Sequence, residues 1–197
     1  MRAIGLDISL TSTGYADVQS IGREYSLTST AFKTIPANEN PSLLDRHNRA
    51  RTIEDDIIRR IFAGPVPDLV AVEAPSYGSK FGDPHDRSGL WWGIVDRCLR
   101  AGLLVVEISP SQVKMYATGS GSGRGATKVT KAMVVAAVND RYEFGPIRLR
   151  VSDHDQADAI VLAALAARLA GHPIDPHIPP ANLRAITNIR LPEGMTL

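Results

Sequence analysis

A single cysteine, Cys98, excludes an intrachain disulfide and fits a reducing, cytosolic compartment. No apolar run approaches the roughly 20 residues that span a bilayer, so the sequence predicts no membrane segment. The opening MRAIGLDIS is too short and too soon acidic for a secretory signal. Charge of one sign is missing too. The 22 Lys and Arg against 21 Asp and Glu leave a net charge of +1, which neither announces nor excludes nucleic acid. Internal repeats are absent, and the one biased stretch is TGSGSGRGA. What is there suits one generous globular domain, since 197 residues at 44% hydrophobic can bury a real core.

The charge is unevenly spread. Between Lys80 and Lys131 lie eight basic residues (80, 87, 97, 100, 114, 124, 128, 131) against four acids (83, 86, 96, 107), so the middle of the chain is basic. RAIGLDIS reads as a strand, LTSTG as a turn, and YADVQS and YSLTSTAFKTI as further strands rich in β-formers. Strands joined this tightly are antiparallel. Ser42 can cap a long amphipathic helix over 43–62, with Leu43, Leu44, Ala50, Ile53, Ile57, Ile58 and Ile61 near one face. DLVAVEAP and LLVVEISP read as buried strands, separated by the helix RSGLWWGIVDRCLRAG. SQVKMYA opens a short helix, TKVTKAMVVAAVNDRY a longer one, and ADAIVLAALAARLAG the last long one. The order predicts an α/β fold with a mixed five-stranded sheet, antiparallel at its front and flanked by helices. Residues 1–170 form the expected domain, and 171–197 are a Pro-rich arm or tail.

Four acids sit where burial should exclude them. Asp7 interrupts AIGLDIS and Glu73 closes DLVAVE, where an uncompensated carboxylate costs several kcal/mol. Asp155 and Asp158, spaced i, i+3, share one side of a helix start. Ser152-x-x-Asp155 is an acceptable capping box, which accounts for Asp155 but not for Asp158, a turn deeper. Asp153 reads as a solvated or capping residue, and His154 as a ligand, a base or a surface side chain. Carboxylate oxygens suit Mg²⁺ or Mn²⁺, and the sparse Cys and scattered His argue against structural zinc. Two such ions could activate a water and stabilise the leaving oxygen of a phosphodiester. Lys114, Arg124, Lys128 and Lys131 flank the Gly-rich loop, an arrangement suited to phosphates.

These stretches, in order, resemble the RuvC family of Holliday junction resolvases, in the ribonuclease H-like superfamily. GLDISLTSTGYA is similar to its first-strand motif and LVAVEAP to its second. SPSQVKMYATGSGSGRGATKVTKAMV is similar to its Lys–Gly-rich loop–Lys segment, and DHDQADAIVLAALAA to its closing helix. The resemblance implies a ribonuclease H-like fold and a Mg²⁺- or Mn²⁺-dependent endonuclease for four-way DNA junctions, with two ions per site. It makes Asp7, Glu73, Asp155 and Asp158 metal-binding acids, and Lys114 and Lys128 supports for DNA binding and cleavage. It implies an aromatic wedge at the crossover, Tyr77 or Phe81, beside Lys80 in the loop after Glu73. It implies a homodimer as well; Trp91 and Trp92 face different sides of their helix, so one reads as core and the other as available to a subunit interface. The setting would be the cytoplasm of a bacterium, the protein being chromosomal or phage-encoded. The loop between the lysines is longer than the family's, and the C-terminal arm is extended. Two alternatives remain: a related nuclease acting on flaps, branched DNA or structured RNA, and an actin-like or sugar-kinase ATP-binding domain.

Overall fold

The computed structural model describes residues 1–21, 24–34, 39–75, 83–121, 128–142, 150–175 and 177–195. Strand β1 (Arg2–Asp7) turns back as β2 (Ser12–Ile21), and β3 (Glu24–Lys33) follows. Then come α1 (Leu43–Ile61), β4 (Leu69–Glu73), α2 (Pro84–Arg100) and β5 (Val105–Ile108). The chain continues through α3 (Pro110–Thr118), α4 (Lys131–Arg141), α5 (His154–Leu169) and the short α6 (Pro180–Leu183). The sheet runs β3-β2-β1-β4-β5. β1 is antiparallel to β2 and parallel to β4, which is parallel to β5. The expected mixed five-stranded sheet therefore forms, its front strands joined by turns and its parallel strands by helical crossovers. Among the described residues no helix is long and apolar enough to cross a membrane.

Strand alternation sorts side chains between two layers. Ile4, Leu6, Val70 and Val72 join α1 and α2 on one face, with Ile57, Ile61, Leu90 and Ile94. Ala3, Leu69 and Ala71 join α3, α4 and α5 on the other. By the same alternation Asp7 and Glu73 point to the α5 face, and they follow directly on the paired residues Leu6 and Val72. The composition of α5 now has a cause. The helix lies directly on β1 and β2, and only small residues allow that distance. A Cβ on Gly5 would stand 2.1 Å from the Ala159 carbonyl oxygen, and one on Gly14 would stand 2.0 Å from that of Asp155.

Several local expectations are corrected. Leu43 and Leu44 are 78% and 65% exposed, and α1 enters the core only from Ala50 onward. At 19 residues the helix is about 28 Å long and outruns the roughly 20 Å of β1. β5 pairs only with β4, so it is an edge strand with Glu107 exposed, not a strand covered on both sides. α4 starts at Lys131 because Thr130 caps it, which leaves Lys128 outside the helix. α5 is capped by Asp153 rather than Ser152, the Asp153 carboxylate accepting from Asp155 N at 2.9 Å and Gln156 N at 3.2 Å. RSGLWWGIVDRCLRAG offers Gly89 and Gly93 for close helix approach, and only Gly93 makes one, to the Glu54 carboxylate of α1, whereas Gly89 faces open space.

Two buried networks lock the layers. Arg2 pairs with Asp17 at 2.7 Å and donates to the Ile61 carbonyl at 2.6 Å, tying β1 and β2 to the end of α1. On the other face Asp175 accepts from Tyr116 and Tyr142, each at 2.7 Å, and from Arg168 at 2.9 Å. Asn182 donates to the Tyr116 carbonyl at 2.7 Å, and Gln112 to that of Ala185 at 3.2 Å. The segment after α5 is thus a packed arm against α3, with Ile174 and Ala185 in the core.

Candidate active site

Four of the sequence-predicted acids converge. Asp7 and Glu73 end adjacent parallel strands on the α5 face, close enough for each carboxyl group to perturb the other. Asp155 and Asp158 approach from the first turns of α5, brought there by the contact of Gly14 with the Asp155 backbone. All four keep some exposed surface, and Asp7 and Glu73 line a cleft that opens to solvent.

Their protonation shows the strain of that placement. Burial holds the Asp7 carboxyl well above the usual range, and the charges of Glu73 and Asp155 add to the effect. Burial pushes Glu73 up to about 7, with Asp158 contributing. Asp158 also rises to about 7, from burial first and then from Asp7 and Asp155. Lys114 and Lys131 oppose the rise at Glu73 and Asp158, and Lys131 opposes it at Asp7. The two acids facing each other share a proton more readily than they ionise together.

The expected lysines separate. Lys114, on α3, faces the acids. The second charge felt there is that of Lys131, the first residue of α4. Lys128 lies exposed in the segment before that helix. Both lysines are exposed, and sequence spacing could not show which one has its charge felt at the acids, because that depends on where α4 starts. Lys131 Nζ lies 3.0 Å from His154 Nδ1, and that ring nitrogen is 2.6 Å from Asp155 Oδ1. His154 thus lies between a lysine and a site carboxylate, its Nδ1 able to donate to Asp155 or accept from Lys131.

Asp153, His154 and Asp155 also offer ligand atoms within 4.8 Å of one another. This cluster is tighter but less telling than the first, since Asp153 is occupied in capping α5. The desolvated set of Asp7, Glu73 and Asp158 has no structural use that offsets its cost. Asp155 belongs to both sets. The donor set of clustered carboxylates with partial lysine compensation fits a hard divalent cation. Tyr77, Lys80, Phe81 and Arg124 lie outside the described residues.

Sequence reading missed Trp91 as part of this framework. It is 9% exposed, and its Nε1 donates to the Glu73 carbonyl at 2.8 Å, fixing the end of β4. Its neighbour Trp92 is 61% exposed. The pairing of one core and one surface tryptophan was legible; the hydrogen bond was not.

No protein-family model matches the chain, and no curated protein matches it by sequence. Solved structures do match. RuvC of Thermus thermophilus superposes with a TM-score of 0.62 at 22% identity, over 87% of this chain and 97% of that one. The same enzyme in complex with a Holliday junction substrate gives a TM-score of 0.64 at 22% identity, over 87% and 96%. A Fowlpox virus resolvase complexed with Holliday junction DNA gives 0.53 at 14% identity, over 83% of this chain and 94% of that one. The chain therefore has the ribonuclease H-like fold of these proteins.

Proposed function

We propose that this protein is a structure-selective endonuclease that hydrolyses phosphodiesters at four-way DNA junctions, in recombination and repair. The observation that carries the reading is the convergence of Asp7, Glu73, Asp155 and Asp158, three of them desolvated beyond any structural need. The likeness to resolvases solved with junction DNA supports the choice of substrate. Residues 1–170 would be the nuclease domain and 171–197 an arm bracing α3. By the same likeness the protein would act as a homodimer, whose two sites address the two-fold symmetric junction. It would work in the cytoplasm of a bacterium, encoded by the host or a phage.

Asp7, Glu73, Asp155 and Asp158 would hold Mg²⁺ or Mn²⁺, two ions per site. Divalent ions in such a site make water a nucleophile near neutral pH and stabilise the leaving oxygen. The protein's own contribution is placement. β1 and β4 fix two carboxylates through strand pairing, and α5 fixes two through its seat on Gly5 and Gly14. Lys114 and Lys131 bring positive charge to the site where a phosphate enters, and Lys128, Arg124 and Lys80 would extend it along the backbone. Tyr77 or Phe81 would wedge at the crossover.

The test is cleavage of a labelled synthetic junction in Mg²⁺ or Mn²⁺, against a matched duplex, a flap and a structured RNA. Selective cutting of the junction supports the reading; equal cutting of all four sinks it. Glu73→Gln should keep junction binding and lose cleavage, and near-normal turnover would remove Glu73 from the chemistry.

A further inference from the structure

Bracing α3 uses only the inner side of the C-terminal arm. Ile174, Asp175, Asn182 and Ala185 are buried there, and Ile186, Ile189 and Leu191 pack half-buried against the same core. The outer side is charged, and largely of one sign. Arg184 and Arg190 are exposed with His172 and His177, against Glu193 alone. Asp175 does not offset them, because it is buried and satisfied by Arg168 and two tyrosines. Both arginines are also idle. Neither has an ion pair or a side-chain hydrogen bond among the described residues. Arg51, Arg59 and Arg100, also on the surface, each pair with an acid.

The arginines ride on a backbone that is fixed from within. Asn182 donates to the carbonyls of Tyr116 and Ala117, near the end of α3, at 2.7 and 3.3 Å. Gln112, in the first turn of α3, donates to the carbonyl of Ala185 at 3.2 Å, while its Oε1 accepts from the backbone N–H of the cap Ser109 at 2.8 Å. The arm therefore runs back along α3 from its end to its start, and Arg184 arrives beside the first turn. That turn begins at Pro110, which lines the cleft of Asp7 and Glu73, and Lys114 stands one turn further on. Ile189 and Leu191, packed against the core, anchor the backbone on either side of Arg190.

We propose that Arg184 and Arg190 contact backbone phosphates of the DNA duplex that leaves the site past α3, which makes the arm part of the DNA-binding surface. The proposal rests on the nuclease reading and extends its footprint beyond the lysines of the site. Unpaired guanidinium groups on a braced backbone suit phosphates, because such contacts release counterions and read no sequence. An acidic protein would meet the same charge. The tie between the arm and the helix that carries Lys114 favours DNA, since one polyanion then meets both.

The test uses the full chain in EDTA, titrated with a labelled four-way junction over a series of salt concentrations. Replacing both arginines with alanine (Arg184→Ala with Arg190→Ala) should lower the slope of log Kd against log salt by about two, one for each lost phosphate contact. Binding at about 0.1 M salt should weaken by on the order of tenfold. The lysine pair (Arg184→Lys with Arg190→Lys) should keep the wild-type slope, since lysine meets a phosphate as a point charge. Arg59→Ala removes an exposed charge at the end of α1 that Arg2 ties to the start of β1, away from the acids, and should leave the slope unchanged. Thermal midpoints of the arm variants should match the wild type's, because neither arginine has a partner to lose. An alanine pair with the wild-type slope overturns the proposal. So does a slope lowered equally by Arg59→Ala or by the lysine pair. A slope that depends on the arm in a wild type that cuts no junction when Mg²⁺ is supplied would leave this DNA surface standing and remove the nuclease reading.

Discussion

Replacing Asp158 with Asn isolates what the clustered charge costs the fold. The carboxyl has an ordinary pKa of 3.8 and is pushed up to about 7, by burial first and then by Asp7 and Asp155. At pH 8 the folded protein in EDTA therefore carries an ion that its surroundings disfavour. One pH unit corresponds to about 1.4 kcal/mol, so ionising this one group costs on the order of 4 kcal/mol. Asn has nearly the same shape and no charge, but its N–H groups need partners, which takes back part of the gain. The variant is expected to exceed the wild type in stability by roughly 2–4 kcal/mol at pH 8. For a chain of this length each kcal/mol moves the thermal midpoint by about 2–4 °C.

The sign follows from proton linkage. The folded state holds this proton more tightly than the unfolded chain does, so the group's favourable contribution is complete below about pH 4. It is lost as pH rises towards 7 and does not change beyond. The advantage of Asp158→Asn should therefore be nil near pH 4, grow through pH 6 and level by pH 8. If Asp158 is a metal ligand as proposed, excess Mg²⁺ should raise the midpoint of the wild type and do much less for the variant, which should not cleave. Scanning calorimetry at the three pH values, with EDTA and with Mg²⁺, measures all of this. A variant no more stable than the wild type at pH 8 in EDTA would refute the premise that the acids are held against their hydration.

Three other outcomes are expected. Gly14→Ala should cost about 1–3 kcal/mol in denaturant unfolding, because its Cβ would meet the Asp155 carbonyl at 2.0 Å; cleavage should fall further than stability, since the start of α5 must move. Lys131→Ala should shift the rise of cleavage with pH upward, and Lys128→Ala should shift it far less, because Lys131 is the lysine whose charge opposes protonation of Asp7, Glu73 and Asp158; equal shifts would contradict the assignment. Asp175→Ala should destabilise by about 3–5 kcal/mol, as it strips Arg168, Tyr116 and Tyr142 of a buried partner, and urea midpoints would show it.

The sequence carried the acids plainly, because a carboxylate inside an apolar strand has few reasons to be there. It carried the five strands too, since alternation and turns are local signals. What it could not carry were distances across elements. Gly5 and Gly14 looked like turn or strand residues, and only the helix lying on them shows that they are seats. Ser152 and Asp153 were both competent caps for α5, and backbone geometry chose Asp153. Lys128 and Lys131 differ by less than one helical turn, so the start of α4 decided between them. Arm and tail could not be told apart because the anchors, Asp175 and Asn182, meet partners 33 to 66 residues earlier in the chain.

The seating of α5 on β1 has a consequence for how the protein is made. The first carboxylate belongs to residue 7 and the last to residue 158, and the helix that brings the latter has its core residues buried through Leu169. A nascent chain that has released β1, β4 and α3 still holds half a site. Its Asp7 and Glu73 face an open sheet with nothing to complete them. The four carboxylates therefore come together only after the segment through α5 has left the ribosome and docked. If the proposed nuclease reading holds, the site stays incomplete for nearly all of the protein's own synthesis.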